Sequence, residues 1–103
     1  MNAWTMQSIK EANAREGHCW FLPETMRFFR CKVYADSVRQ GPGGVYFVSS
    51  EVPWGNPRLY TVRVFNPATA SVSTALASGG LAFYPSKRAA LDVATTLANT
   101  ANP

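Results

Sequence analysis

The stretch from Met26 to Tyr34 constrains the fold more than any other part of the sequence. Its positions alternate between two kinds of side chain. One series is apolar and the other is basic and aromatic: Phe29, Cys31, Val33 and Ala35 against Phe28, Arg30, Lys32 and Tyr34. A period of two is typical of a β-strand that is buried on one face only. We therefore predict a strand over Met26–Ala35 with an apolar inner face and a cationic outer face.

The remaining patterns predict two helices and three further strands. Thr5 is the predicted N-cap of a helix over Trp4–Glu16, which ends at Gly17. Ser86 is the predicted N-cap of an alanine-rich helix near the end of the chain. The strands between them are predicted over Val45–Ser50, Leu59–Phe65 and, more weakly, Ala70–Ala77.

This order of elements, α-β-β-β-(β)-α, predicts an α+β fold in one domain over residues 1–103, with a frayed tail at 99–103. We expect an antiparallel meander with both helices packed on one face and the other face open to solvent. The Gly41-Pro42-Gly43-Gly44 run before the second predicted strand fits a hairpin connection, and a flexible functional finger is the alternative.

Composition and hydropathy limit the cellular location of the protein. About 47% of the 103 residues are hydrophobic and 16% are charged, which is typical of a globular chain. No segment approaches the ~18–20 apolar residues of a membrane span. No basic region followed by an apolar run opens the sequence. We therefore expect a soluble intracellular protein without a membrane partner.

The sequence offers little for catalysis. Its six carboxylates form no acidic pair at helix or strand spacing, and one histidine and two cysteines do not match a zinc site. Cys31 lies on the apolar side of the first predicted strand, so we expect a buried free thiol there. Cys19 follows His18, but neighbouring side chains of an extended chain point to opposite sides. We predict a non-enzymatic protein without metal or cofactor.

Binding is better supported than catalysis. The net charge of +4 permits a nucleic acid or an acidic protein as partner. The predicted outer sheet face combines cations and an aromatic ring, a composition that suits phosphates, bases or an acidic protein: Arg30, Lys32, Tyr34 and Arg63. Trp54, at the tip of a turn, is either a lid on the core or an interface anchor. Lys87 and Arg88 open the last helix, where cations oppose the helix dipole. The alternative for the sheet residues is a solvated outer face, and for Lys87 and Arg88 it is side chains that extend into water.

Two family resemblances suggest a biological context for the protein. Ser86-Lys87-Arg88-Ala89-Ala90 before an alanine-rich helix resembles the end of double-stranded-RNA-binding domains, in which basic residues at that helix start touch phosphates. A broader pattern is similar to a family of small uncharacterised proteins of bacteriophages and plasmids. It runs through Ile9, Asn13, Gly17-His18, Trp20-Phe21, Thr25 to Phe29, Gly41, Tyr46 to Glu51, Pro57-Arg58, Tyr60 to Arg63 and Phe65-Asn66-Pro67.

The second resemblance implies a mobile-element setting and no catalytic residues. Small proteins of such elements bind host defence complexes, as anti-CRISPR proteins do. Our leading hypothesis is therefore a stoichiometric binding protein that acts on a host protein or ribonucleoprotein. Direct nucleic-acid binding through Arg30, Lys32, Arg63, Lys87 and Arg88 is the alternative. A structural or homodimeric module is a third possibility.

Overall fold

The computed structural model describes residues 3–27, 30–52, 55–75 and 83–100. The described residues form three helices: α1 (Met6–Arg15), the short α2 (Pro23–Arg27) and α3 (Lys87–Asn99). They also form five strands: β1 (Lys32–Val33), β2 (Arg39–Gly41), β3 (Gly44–Glu51), β4 (Leu59–Asn66) and β5 (Ser71–Thr74). A 3₁₀ turn over Ala35–Ser37 separates β1 from β2. The α+β class is thus confirmed.

The sheet is an antiparallel meander built around β3. On one side β3 pairs with β4 over its whole length, from Val45 opposite Phe65 to Glu51 opposite Leu59. On the other side β1 and β2 pair with successive parts of β3, so together they form one edge that the 3₁₀ turn interrupts. β5 pairs with β4 at the opposite edge. The β-branched and aromatic residues of β3 explain its central position.

The helices cover opposite faces of this sheet. Ile9 of α1 packs in one buried cluster with Phe47 of β3 and Phe65 of β4. Ala90 and Ala94 of α3 pack in a second cluster with Val48 and Val62. Successive residues of a strand point to opposite faces, so Phe47 and Val48 mark two different faces. The expectation that both helices share one face was wrong, because β3 is apolar on both of its faces.

The predicted strand over Met26–Ala35 is also wrong over most of its length. Met26 and Arg27 end helix α2, and only Lys32–Val33 pairs with β3. Pro23 occupies the first position of α2, where its fixed φ favours a helix. Arg30 then adopts a left-handed φ of 54°, which interrupts an extended chain. Phe28 and Phe29 lie outside the described residues.

Several local predictions are confirmed. Thr5 caps α1, accepting a hydrogen bond from the Ser8 amide at 3.1 Å, and Gly17 after the helix has a φ of 82°. Ser86 caps α3 in the same way. The chain before the glycine-rich run contains β2, a strand that the sequence patterns did not predict, and the run itself closes the β2–β3 hairpin. The tail prediction falls on α3, which reaches Asn99, and on residues 101–103 outside the described part of the chain.

The described helices are all too short or too polar to cross a membrane.

The glycines of the β2–β3 hairpin allow α3 to end against it. The Gly43 amide donates a hydrogen bond to the Ala98 carbonyl at 2.9 Å. A Cβ atom at Gly43 would overlap the carbonyl oxygens of Leu97 and Thr100. A Cβ atom at Gly41 would overlap the Ala98 carbonyl oxygen in the same way. The hairpin therefore tolerates no side chain at these positions without moving the end of α3.

We expect Gly43→Ala to lower the free energy of unfolding by about 2 kcal/mol, because the new methyl group overpacks the hairpin against α3. Urea denaturation measures this change. Gly17→Ala is the control: its φ is positive, but no atom of the described residues lies within 4 Å of the added Cβ, so the cost is about 1 kcal/mol. A loss at Gly43 no larger than that at Gly17 would contradict the close packing.

Candidate binding surface

The charged side chains are divided unevenly between the two sides of the sheet. All sixteen lie in the described part of the chain. Six cations lie along the β1–β2 edge, the start of β4 and the first turn of α3, accompanied by two carboxylates, Asp36 and Asp92. We call these six the basic surface: Arg30, Lys32, Arg39, Arg58, Lys87 and Arg88. The other four cations and four carboxylates balance one another, so the whole net charge of +4 belongs to the basic surface.

One end of the basic surface is organised around the buried hydroxyl of Ser50. Nη1 of Arg58 donates to Ser50 Oγ at 2.7 Å and to the backbone carbonyl of Arg30 at 3.1 Å. The Tyr34 hydroxyl shares a hydrogen bond with the same Ser50 Oγ at 2.9 Å. Lys32 pairs with Ser50 across the sheet, so its side chain leaves from the same face. These contacts gather Arg30, Lys32 and Arg58 at one corner of the sheet.

Lys87 connects this end to α3. Its ammonium group lies 4.7 Å from the centre of the Tyr34 ring and 3.0 Å from both carboxylate oxygens of Asp36. The hydrogen bond from Lys87 lowers the pKa of the Asp36 carboxyl below its ordinary value. Asp36 is therefore ionised at neutral pH and offsets the charge of Lys87.

The other end of the basic surface is a groove between α3 and the β2 edge. Its volume is about 480 Å³, and its walls combine cations with polar and apolar side chains: Arg39, Lys87, Arg88, Leu91, Asp92 and Thr95. Nε of Arg39 donates to Thr95 Oγ1 at 3.2 Å, and its Nη1 donates to the Asp36 carbonyl at 2.9 Å. The groove thus carries an arginine held in a fixed orientation.

Arg63 does not belong to this surface, and its prediction as part of an open cationic face was wrong. It lies on the α1 side of the sheet, where its Nη2 binds Glu51 Oε1 at 2.7 Å. The side chains of Arg63 and Glu51 are only 16% and 10% exposed. Ser49 and Thr61 donate to the same carboxylate, each at 3.1 Å. A buried carboxylate needs such partners, so the role of Arg63 is structural.

The structure thus brings together five of the seven predicted binding residues: Arg30, Lys32, Tyr34, Lys87 and Arg88. Arg63 lies on the opposite face, and Trp54 lies outside the described residues. Sequence reasoning missed Arg39 and Arg58. Arg39 was missed because its strand was not predicted. Arg58 precedes its strand, so no alternation pattern included it, although it follows Pro57 in the wider motif.

The thiols differ in their surroundings. Both cysteines are free, Cys19 is exposed, and Cys31 is half-buried with its Sγ 3.6 Å from Glu51 Oε1. Burial, and secondarily the Glu51 carboxylate, raises the pKa of the Cys31 thiol from 9.0 to about 11. Among the described residues no group of three or more histidine, cysteine or acidic side chains is placed to hold a metal ion.

Comparison with known proteins gives one result. A model of a family of unknown function, DUF7447, matches residues 5–91. The chain belongs to this family. Neither a curated protein sequence nor a solved structure shows a significant match.

The matched segment contains contacts that tie α1 to the sheet. The buried Asn13 side chain donates to the Ala70 carbonyl at 2.9 Å, and His18 Nε2 lies 2.9 Å from the Thr69 carbonyl. These carbonyls belong to the turn between β4 and β5, in which Asn66 Oδ1 accepts from the Ala68 amide. Asn13, His18 and Asn66 of the wider sequence pattern therefore have a structural role.

We expect Arg63→Met to reduce the free energy of unfolding by about 3 kcal/mol, because it leaves Glu51 buried without its charged partner. The double variant Glu51→Gln with Arg63→Met should recover part of that loss, since no charge is then buried. Urea unfolding of the two single variants and the double variant measures the coupling. Strict additivity would show that the pair does not interact.

The raised pKa of Cys31 predicts its alkylation behaviour. At pH 8 its thiolate fraction should be about a hundredfold below that of an ordinary thiol. Its alkylation rate should therefore rise tenfold per pH unit from pH 7 to 10, without the plateau that a thiol of pKa 9 begins to show. Iodoacetamide labelling of Cys19→Ser isolates Cys31, and Cys31→Ser isolates the exposed Cys19 for comparison. A plateau near pH 9 for Cys31 would refute the shift.

Proposed function

We propose that this protein is a non-enzymatic binding protein of a bacteriophage or mobile element, which acts stoichiometrically on a host macromolecule. The observation that carries the proposal is the location of the whole net charge on the basic surface. The Arg58 and Arg39 side chains are half-buried there, and none of the six carboxylates lies within ion-pair distance of either.

Concentrated charge favours a partner of opposite sign. Like charges on one surface repel one another and reduce the stability of the folded chain, whereas an even distribution would provide solubility at lower cost. A basic surface attracts an acidic partner and speeds its association. The balanced side of the sheet, with its buried Glu51–Arg63 pair, has no comparable excess.

The setting comes from the sequence. The resemblance to small proteins of bacteriophages and plasmids suggests a host target in the bacterial cytoplasm. A defence ribonucleoprotein is the kind of complex that a small binding protein of this type disables, as anti-CRISPR proteins do. This step is an analogy of size and context.

Direct nucleic-acid binding is the second candidate. It is favoured by the position of exposed Arg30, Lys32 and Arg88 around Tyr34 and the first turn of α3, where phosphates also meet free backbone amides. If these three cations contact phosphates of duplex DNA, a plot of the logarithm of affinity against the logarithm of salt concentration should have a slope of about −2.7. A DNA and RNA binding series between ~50 and 200 mM salt measures it.

The leading proposal predicts that charge reversal on the basic surface abolishes capture of the partner. Affinity purification of the tagged protein from a nuclease-treated host lysate should recover one protein partner at a fixed ratio near one to one. Lys32→Glu with Arg88→Glu should lower that recovery at least tenfold, since both steering and contact are lost.

The matched control is Lys10→Glu with Arg15→Glu, which makes the same change of charge on α1. It should leave recovery unchanged. Equal losses from the two double variants would show only a dependence on net charge and would refute the basic surface as the contact. A partner recovered only without nuclease would favour the nucleic-acid candidate. Turnover of a host substrate by the protein would contradict a stoichiometric role.

A further inference from the structure

The groove between α3 and β2 differs chemically from the rest of the basic surface. It has a volume of about 480 Å³, within the range of ligand-binding sites, and one of its walls is the helix α3. Besides its cations it contains the half-buried side chain of Leu91 and the carboxylate of Asp92. A partner must therefore match apolar and polar groups as well as charge.

Arg39 is held in place before any partner arrives. Its Nε donates to Thr95 Oγ1, and its Nη1 donates to the Asp36 and Val38 carbonyls at 2.9 and 3.1 Å. Thr95 Oγ1 in turn donates to the Leu91 carbonyl of α3 at 2.9 Å. All these acceptors are neutral, so no carboxylate is hydrogen-bonded to the guanidinium. Since its rotamer is already ordered, binding an anion there costs little further conformational entropy.

The carboxylates around the groove argue against a nucleic-acid backbone. Duplex DNA carries a charge about every 1.7 Å, so phosphates laid along the groove would come close to Asp92. Asp36 already offsets Lys87, which leaves Arg39 and Arg88 as the cations without a carboxylate partner in this region. Leu91 offers apolar contact that a phosphate backbone does not use. A polypeptide can instead alternate carboxylate and apolar side chains to match these groups.

We infer that the groove docks an acidic, partly apolar segment of the partner protein, with carboxylates on Arg39 and Arg88 and an apolar side chain on Leu91. This inference rests on the proposed function and specifies the chemistry of the partner. It separates the groove from the corner around Ser50, where the hydrogen bonds of Arg58 and Tyr34 meet on one hydroxyl.

The test is a ¹⁵N-NMR titration of the full chain with three probes at one ionic strength. The probes are a twelve-residue peptide that alternates glutamate with leucine, an oligoglutamate of equal length, and a 16-base-pair RNA duplex. The alternating peptide should give saturable shifts at the amides of Arg39, Arg88, Leu91 and Thr95. Oligoglutamate should bind the same residues at least threefold more weakly, because it lacks the apolar contact.

Variants sharpen the assignment. Arg88→Gln and Leu91→Ala should each weaken the alternating peptide at least fivefold, and Arg15→Gln on α1 should not. Spectra of the free variants establish that each is folded. Arg88 is exposed on the helix, so its variant keeps the test valid if Leu91→Ala unfolds.

Three results would overturn the inference. One is tighter binding of the RNA duplex to the same groove amides. Another is a peptide footprint spread evenly over all cations. The third is an equal loss with Arg15→Gln. If lysate capture depends on Lys32 and Arg88 but the peptide avoids the groove, the inference falls and the proposed function stands. If capture also fails to depend on them, the proposed function falls as well.

Discussion

The structure depends on the burial of β3 on both of its faces. Phe47 and Val48 are neighbours in sequence, and neither exposes any surface to solvent. A strand of this kind cannot be covered by one layer, so α1 and α3 lie on opposite faces of the sheet. Fully burying each of these side chains stabilises the fold by about 1.5–3 kcal/mol. The two clusters therefore hold one helix on each face of the sheet.

The last residues of β3 show how the two faces acquire different electrostatic characters. Glu51 points toward the α1 side and is neutralised there by Arg63. Ser50 points toward the other side and meets Arg58 with a neutral hydroxyl at the same 2.7 Å. The guanidinium groups of two arginines thus reach the last residues of β3 from opposite faces, but only one has an acidic partner. This single difference leaves a half-buried cation on the α3 side, where the other basic residues also lie.

Sequence reasoning succeeded where local chemistry decides the structure. Thr5, Gly17 and Ser86 fixed helix ends through capping and φ preferences that depend on few neighbours. The faces of β4 are also a matter of local alternation, since Tyr60, Val62 and Val64 lie in one cluster. Reasoning failed where distant residues decide. The alternation at Met26–Tyr34 matched a strand, but Pro23 starts a helix and Arg30 turns the chain, so Arg30 and Arg63 never share a face.

The candidate site was harder to predict for the same reason. Tyr34 and Lys87 meet only because the position of α3 against the sheet brings residues more than fifty positions apart into contact. Arg39 gains its importance from Thr95, which is 56 residues away in the chain. Helix and strand periodicities relate residues only a few positions apart, so they cannot predict such contacts. The composition shows that the net charge is positive. Its location on the α3 side of the sheet follows only from the three-dimensional arrangement of the strands and helices.

The packing of α3 connects stability with the proposed docking groove. Its buried face consists of Ala90, Ala94 and Ala98, whose small side chains let the helix lie close to the sheet. That closeness requires glycine at positions 41 and 43, and it lets the Arg39 side chain reach Thr95. Larger residues in the alanine row would lift α3, separating Arg39 from Thr95 and widening the groove. The same small side chains that complete the core therefore set the width of the surface available to a partner.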